Sequence, residues 1–180
     1  MTGNFDNVLK FVLKDEGGFS NDPRDPGGMT NLGVTRNNWE AFAGHPVDEA
    51  AMRALTPADV TPFYRRNYWD RVHCDDLPVG VDYAVMDYAV NSGTSRAAKT
   101  LQRACGVADD GAIGPHTLAA VNGADPIALI DNICDQRLAF LQSLPTFGTF
   151  GRGWTARVER VKTASEQMQQ APEVGVGQGQ

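Results

Sequence analysis

The sequence lacks a basic and then apolar N-terminal segment, and nowhere does it run apolar for the roughly 20 residues that a membrane helix needs. The expectation is a chain made in the cytoplasm, without a signal peptide or membrane insertion, and kept there unless another machine exports it. Cysteine is scarce. Cys74, Cys105 and Cys134 show no Cys-x-x-Cys and no Cys/His spacing, which argues against a disulfide framework and leaves small buried thiols as the reading. The histidines His45, His73 and His116 are scattered without metal-ligand spacing, so neither a metal nor a cofactor is expected. Positive charge is short as well: 16 Lys and Arg against 22 Asp and Glu give a net charge of −6 and a pI near 5.0. That balance is wrong for nucleic acid, whose phosphates demand a basic footprint. It gives no bulk attraction to an anionic cell surface either, so any contact there needs specific sugar or peptide recognition. Repeats and heptads are absent, and 180 residues suffice for one well-buried core with two lobes.

What the sequence has is helical patterning. Phe5, Val8, Leu9, Val12 and Leu13 follow the spacing of one helix face, with Asn4 as the expected cap and Gly17 as the stop. Glu16 falls at the C-terminal end of that helix, where backbone carbonyls disfavour a negative charge. "TPADVTPFYRRNYWDRV" opens with Thr56 as cap, Pro57 in the first helical position and Asp59 in the first turn. "VGVDYAVMDYAVNSG" and "SRAAKTLQRACG" end at Gly93 and Gly106, and "DPIALIDNICDQRLAFLQSL" opens on Asp125-Pro126. A last helix is expected from about Trp154 to Gln169, and the small polar tail "APEVGVGQGQ" is expected to be disordered.

Between the first two helices lies "KDEGGFSNDPRDPGGMTNLGVT", Lys14 to Thr35, too rich in Gly, Pro, Asp and Asn for a regular element. Its turns bring Asp25 and Thr30 within potential reach of Glu16. Two carboxyls and a hydroxyl around one cleft suit glycoside hydrolysis: one acid protonates the leaving oxygen, and the other stays ionised to orient water or attack the sugar. A solvated acidic loop is the competing reading. A helix-loop-helix calcium site is disfavoured, because "DPRDPGG" lacks the alternating ligands and the terminal Glu.

"EGGFSNDPRDPGGMTNLGVT" closely resembles the signature of glycoside hydrolase family 108, which contains muramidases of phage endolysins and of secretion-associated bacterial lysozymes. The resemblance continues through "YRRNYWD", "MDYAVNSG" and "FGRGWTARV", and so spans nearly the whole chain. It implies a mainly α, lysozyme-like fold with a short glycine-rich hairpin after the first helix. It further implies a monomeric enzyme that cleaves peptidoglycan between N-acetylmuramic acid and N-acetylglucosamine. Glu16 takes the role of general acid. Asp25 stabilises the oxocarbenium charge and Thr30 holds the attacking water, with Asp22 as the substitute for Asp25. The setting is either a phage lysin released by a holin or a host enzyme serving a secretion machine, acting on the wall in the periplasm.

A second motif, "LQRACGVADDGAIGPHTLAAV", is similar to small helical peptidoglycan-binding modules; its glycines also suit a plain helix–turn–helix corner. The expected organisation is therefore a catalytic lobe over 1–93 and a peptidoglycan-binding-like lobe over 94–170, packed as one unit, followed by the tail 171–180. Tyr64, Tyr68 and Trp69 fall at helical spacing, the pattern of a core stripe. Because sugar rings stack on aromatic faces, Tyr68 and Trp69 are also candidates for the cleft wall. Asn91, at a helix terminus, is a candidate for an acetamido contact, and Asp87 reads as a structural partner. The alternatives are a wall-binding or phage structural protein that has kept the fold, and a lytic transglycosylase, which Asp25 disfavours.

Overall fold

The computed structural model describes residues 4–21 and 28–171. Most of these residues are helical, as expected, and they form two compact units, Met1–Asp75 and Asp76–Gln180. The expected lobe boundary at Gly93/Thr94 lies inside the second unit, and the tail 172–180 lies outside the described residues.

The first unit begins with α1, Phe5–Glu16, whose Phe5, Val8, Leu9 and Val12 are buried along one face. Asn4 occupies the N-cap position but makes no side-chain cap bond. It sits in the helical region of backbone space, and its Oδ1 accepts from the Asn7 side chain at 3.3 Å. A short antiparallel hairpin follows, β1 (Thr30–Asn31) and β2 (Val34–Thr35), in register Thr30↔Thr35 and Asn31↔Val34. Ser20 pairs with the other edge of Thr30 through bonds of 2.9 and 2.8 Å. Then come α2 (Arg36–Ala43), α3 (Glu49–Ala54) and α4 (Pro57–Tyr64), with Thr35, Asp48 and Thr56 as N-caps. Thr56 and Asp59 form the reciprocal capping box their spacing implies. Beyond Pro62, α4 widens into a π-turn over Arg65–Trp69.

The second unit holds α5 (Val81–Ser92), α6 (Thr94–Ala104), α7 (Pro115–Asn122), α8 (Pro126–Gln142) and α9 (Phe147–Gln170). α5 is the central helix. Every residue from Val81 to Ala89 is buried, and α6, α8 and α9 pack on it. A helix that is buried all round must satisfy its polar side chains internally. Asp87 does so by accepting from Arg137 of α8 at 2.7 Å and from Arg157 of α9 at 2.8 Å. α9 starts about two turns before the expected Trp154. Gly148, Gly151 and Gly153 lie in these first two turns and in the helix all the same, although glycine weakens a helix interior.

Two predictions follow from α5. Burial alone would raise the Asp87 carboxyl, but Arg137 and Arg157 outweigh it and hold it below the ordinary range. A lowered folded pKa means stability that is full above about pH 4 and is lost as pH falls through the folded value. Asp87→Asn should cost about 3–5 kcal/mol in urea unfolding, because it strands two arginines, and should flatten that acid dependence. An unchanged urea midpoint would rule the ion triad out as a support. A fragment ending at residue 95 keeps α5 and removes α6, α8 and α9. It should be insoluble or unfolded by circular dichroism, whereas a cooperative melt would show that α5 does not need them.

Candidate active site

Glu16 is the last residue of α1, and Gly17 stops the helix with a φ of 77°. The carboxylate therefore leaves the helix where the chain turns away, half-buried. What packs on it comes from the hairpin. The two residues between β1 and β2, Leu32 and Gly33, have φ values of 49° and 74°. Positive φ at both central residues is the pattern of the type I′ turns that close two-residue hairpins. Gly33 suits this; Leu32 pays for it, since its side chain disfavours the left-handed region by about 1–2 kcal/mol.

Contacts hold the turn in place. The Tyr64 hydroxyl, fully buried at the end of α4, donates to the Leu32 carbonyl at 2.8 Å. Asn31, 5% exposed, donates to the Met52 carbonyl at 2.8 Å, which ties the hairpin to α3. A Cβ on Gly33 would lie 2.5 Å from the Tyr64 oxygen and 2.8 Å from both Cβ and Cγ of Glu16. The bare backbone of Gly33 is thus what Glu16 packs against.

Tyr68 completes the surroundings. Its phenol is pushed up, first by burial and then by the negative charge of Glu16, which places the two side chains within electrostatic reach. Its ring lies 5.6 Å from Tyr64 and 6.1 Å from Phe63, whose other face meets Phe42 of α2 at 5.5 Å. Tyr68 is half-buried, with part of its surface open to solvent.

The other expected site residues are placed differently. Thr30 is in β1, paired on one edge with Thr35 and on the other with Ser20. Asp25 and its neighbour Asp22 lie outside the described residues. Trp69 is 1% exposed, edge-on to Phe5 at 5.2 Å, and its indole N–H donates to Asp75 at 2.9 Å. It is a core residue with no free ring face. That burial fits the core-stripe reading of Tyr64, Tyr68 and Trp69 and removes Trp69 as a candidate for the cleft wall. Asn91 is exposed near the end of α5 in the second unit, where its Oδ1 accepts from the Ser92 hydroxyl at 2.9 Å. Gly33 and Tyr64 were missed as supports of the site. The available signal was "TNLGVT", a two-residue turn flanked by strand-forming residues.

In the second unit, the "LQ…DG" motif closes on itself. Gln102, 1% exposed, donates to Asp110 at 2.7 Å and to the Ala112 carbonyl at 3.1 Å, and accepts from the Gly111 N–H at 2.8 Å. The motif is a polar knot fixing the loop between α6 and α7. Among the described residues, no cluster of three His, Cys, Asp or Glu side chains has the makings of a metal site.

Residues 9–93 match the family model "Glycosyl hydrolase 108", and residues 96–159 match "Predicted Peptidoglycan domain". Among solved structures, the chain is similar to one described as "Structure of Brucella abortus SagA". The two are 46% identical with a TM-score of 0.86, over 95% of this chain and 98% of that one. No curated protein matches.

The contact at Gly33 can be tested by stability alone. Gly33→Ala should cost about 1–3 kcal/mol through strain and overpacking, and Tyr64→Phe about 1 kcal/mol through the lost hydrogen bond. Both act on one contact, so the double variant should lose less than the sum. Strict additivity in urea unfolding would show that the positions are uncoupled.

Proposed function

Because the chain belongs to the glycosyl hydrolase 108 family, we propose that it hydrolyses the β-1,4 bond between N-acetylmuramic acid and N-acetylglucosamine. The family and the second matched domain support a glycoside hydrolase acting on peptidoglycan. The observation that carries the finer reading is Glu16 itself, held at the end of α1 against the bare backbone of Gly33 and within reach of Tyr68.

In this mechanism the protonated Glu16 carboxyl gives its proton to the glycosidic oxygen as the bond to the muramic C1 breaks. Positive charge then develops at C1, and Asp25 is assigned to stabilise it through the family signature. Water held by Thr30 adds to C1 and passes its proton to the Asp25 carboxylate, while the leaving sugar keeps the proton from Glu16; exchange with solvent then carries the proton from Asp25 and returns one to Glu16. Thr30 suits a positioning role, because backbone pairing on both edges fixes its Cα. Tyr68 is left as the aromatic contact for a sugar ring, since Trp69 has no face to offer. Asn91 remains assigned to an acetamido contact on the strength of its exposed position at a helix end.

Glu16→Gln should reduce turnover of purified peptidoglycan by about 10²–10⁴-fold with an unchanged melting curve, since the amide keeps the shape and lacks the proton. Asp25→Asn should be severely impaired, and Thr30→Ala less so. Mass analysis of the digest should show reducing muramic ends. Anhydro-muramic ends would mean a transglycosylase, reducing glucosamine ends would mean cleavage of the other bond, and wild-type turnover by Glu16→Gln would remove Glu16 from catalysis.

A further inference from the structure

The second unit carries a concave pocket of about 360 Å³ lined by Ser92, Gly93, Ser95, Arg96, Lys99 and Arg103. Its charge runs against the rest of the chain. The protein carries a net charge of −6, yet residues 88–108 contain no Asp or Glu, and all three cations of that stretch line this pocket. Arg96, Lys99 and Arg103 fall three and four residues apart on α6, the spacing that puts side chains on one helix face.

The cations are not equally occupied. Arg103 is engaged with Asp109 at 2.7 Å and with Gln136 at 2.9 Å. Arg96 donates to the Ser92 carbonyl at 2.8 Å and lies 4.0 Å over the Phe140 ring, which aims it without neutralising it. Among the described residues, neither Arg96 nor Lys99 has a carboxylate in an ion pair. The nearby acids are hydrogen-bonded elsewhere, Asp109 to Arg103 and Asp110 to the Ala112 N–H and Gln102, and Lys99 acts on both only through its field, without an ion-pair contact. The polar knot packs close to two of the lining side chains, Ser95 and Lys99. Gln102 holds the Gly111 N–H, and a Cβ on Gly111 would come within 3.3 Å of the Lys99 stem and 3.4 Å of the Ser95 hydroxyl.

We propose that this pocket binds a free carboxylate of the acidic stem peptides of peptidoglycan, with Lys99 and Arg96 as the charged contacts and Ser95 as a hydroxyl donor. The assignment rests on the reading of the protein as a peptidoglycan hydrolase, which supplies a ligand with sugar rings and peptide carboxylates on one strand. The first unit has the means to handle the sugar. The pocket has the chemistry for the peptide, because ammonium and guanidinium donors to carboxylate are the stronger, charge-assisted kind of hydrogen bond.

The test uses the full-length protein and its Lys99→Glu and Lys99→Arg variants on two substrates: wall glycan with intact stems, and glycan stripped of stems by an amidase. Lys99→Glu should raise KM on stemmed glycan about tenfold with kcat unchanged, and leave both constants unchanged on stripped glycan. Lys99→Arg should behave as wild type. Free stem tripeptide should bind wild type more tightly than Lys99→Glu, and salt should weaken that binding. Equal effects on both substrates, or no effect on either, would overturn the proposal. So would displacement by inorganic phosphate with no response to the tripeptide, which would mark a phosphate site. Should the wild type cleave neither substrate, the proposed reaction fails, and the tripeptide binding comparison still decides the pocket.

Discussion

A side chain at residue 33 would run into Tyr64 and Glu16 together, and the first unit is arranged around that bare backbone. The constraint propagates outward. For Gly33 to reach Glu16, the chain must reverse within two residues, which puts Leu32 in the left-handed region at a cost its own side chain cannot recover. The Tyr64 hydroxyl, on the last residue of α4, offsets this by donating to the Leu32 carbonyl. Asn31 fixes the hairpin from the other side by capping carbonyls at the end of α3. Local strain, a buried phenol and a buried amide thus converge on the position of one carboxylate. Strain gathered at such a place is more naturally read as the support of a site than as an accident of the loop.

The second unit uses buried polarity for a different purpose. Apolar packing alone leaves helices free to slide or rotate by a turn, because one row of aliphatic side chains resembles the next. The Asp87 carboxylate, with Arg137 on α8 and Arg157 on α9, penalises such slippage, since any shift leaves a charge unpaired in the interior. The Gln102 knot does the same for the loop between α6 and α7 with neutral groups. At Gly80 the chain passes so close to the Ser165 carbonyl that any side chain there would collide with it. These are registration devices more than sources of net stability.

What was legible in the sequence was what depends on near neighbours. The apolar face of α1, the Thr56/Asp59 capping box and the Asp125 cap are each encoded within a few residues, and each forms as spaced. Glu16 at the helix end was readable for the same reason. The failures share a cause too. Asn4 heads α1 at the right position but spends its side chain on Asn7. Trp69 follows the core-stripe reading and not the cleft-wall one: it is buried beside Phe5, a contact 64 positions away that the local spacing could not show. The early turns of α9 carry three glycines, and Gly151 gives the Phe147 ring room that a Cβ would occupy. Tyr64 and Gly33, 31 residues apart in sequence, could be joined only by the tertiary contact.

An acidic protein that works on a wall bearing carboxylates faces an electrostatic problem, and its resolution lies in distance. At physiological ionic strength, charges farther apart than about 8 Å are largely screened from one another. A net charge of −6 spread over 180 residues therefore acts weakly at any one point of contact, while a few side chains at that point act at nearly full strength. What matters is which charges stand at the contact and whether they are already neutralised. Several of the chain's surface cations are spent on neighbours: Arg36 on Glu40, Arg53 on Glu49, Arg65 on Asp70, Lys162 on Asp131. Exposed pairs of this kind add little stability, yet they do remove cations from circulation. A stretch free of acidic residues, such as 88–108, is then where positive charge stays available, and on α6 it is gathered on one helix face. Bulk acidity works against indiscriminate sticking to polyanions, and the local basicity of α6 is set against it at one helix face.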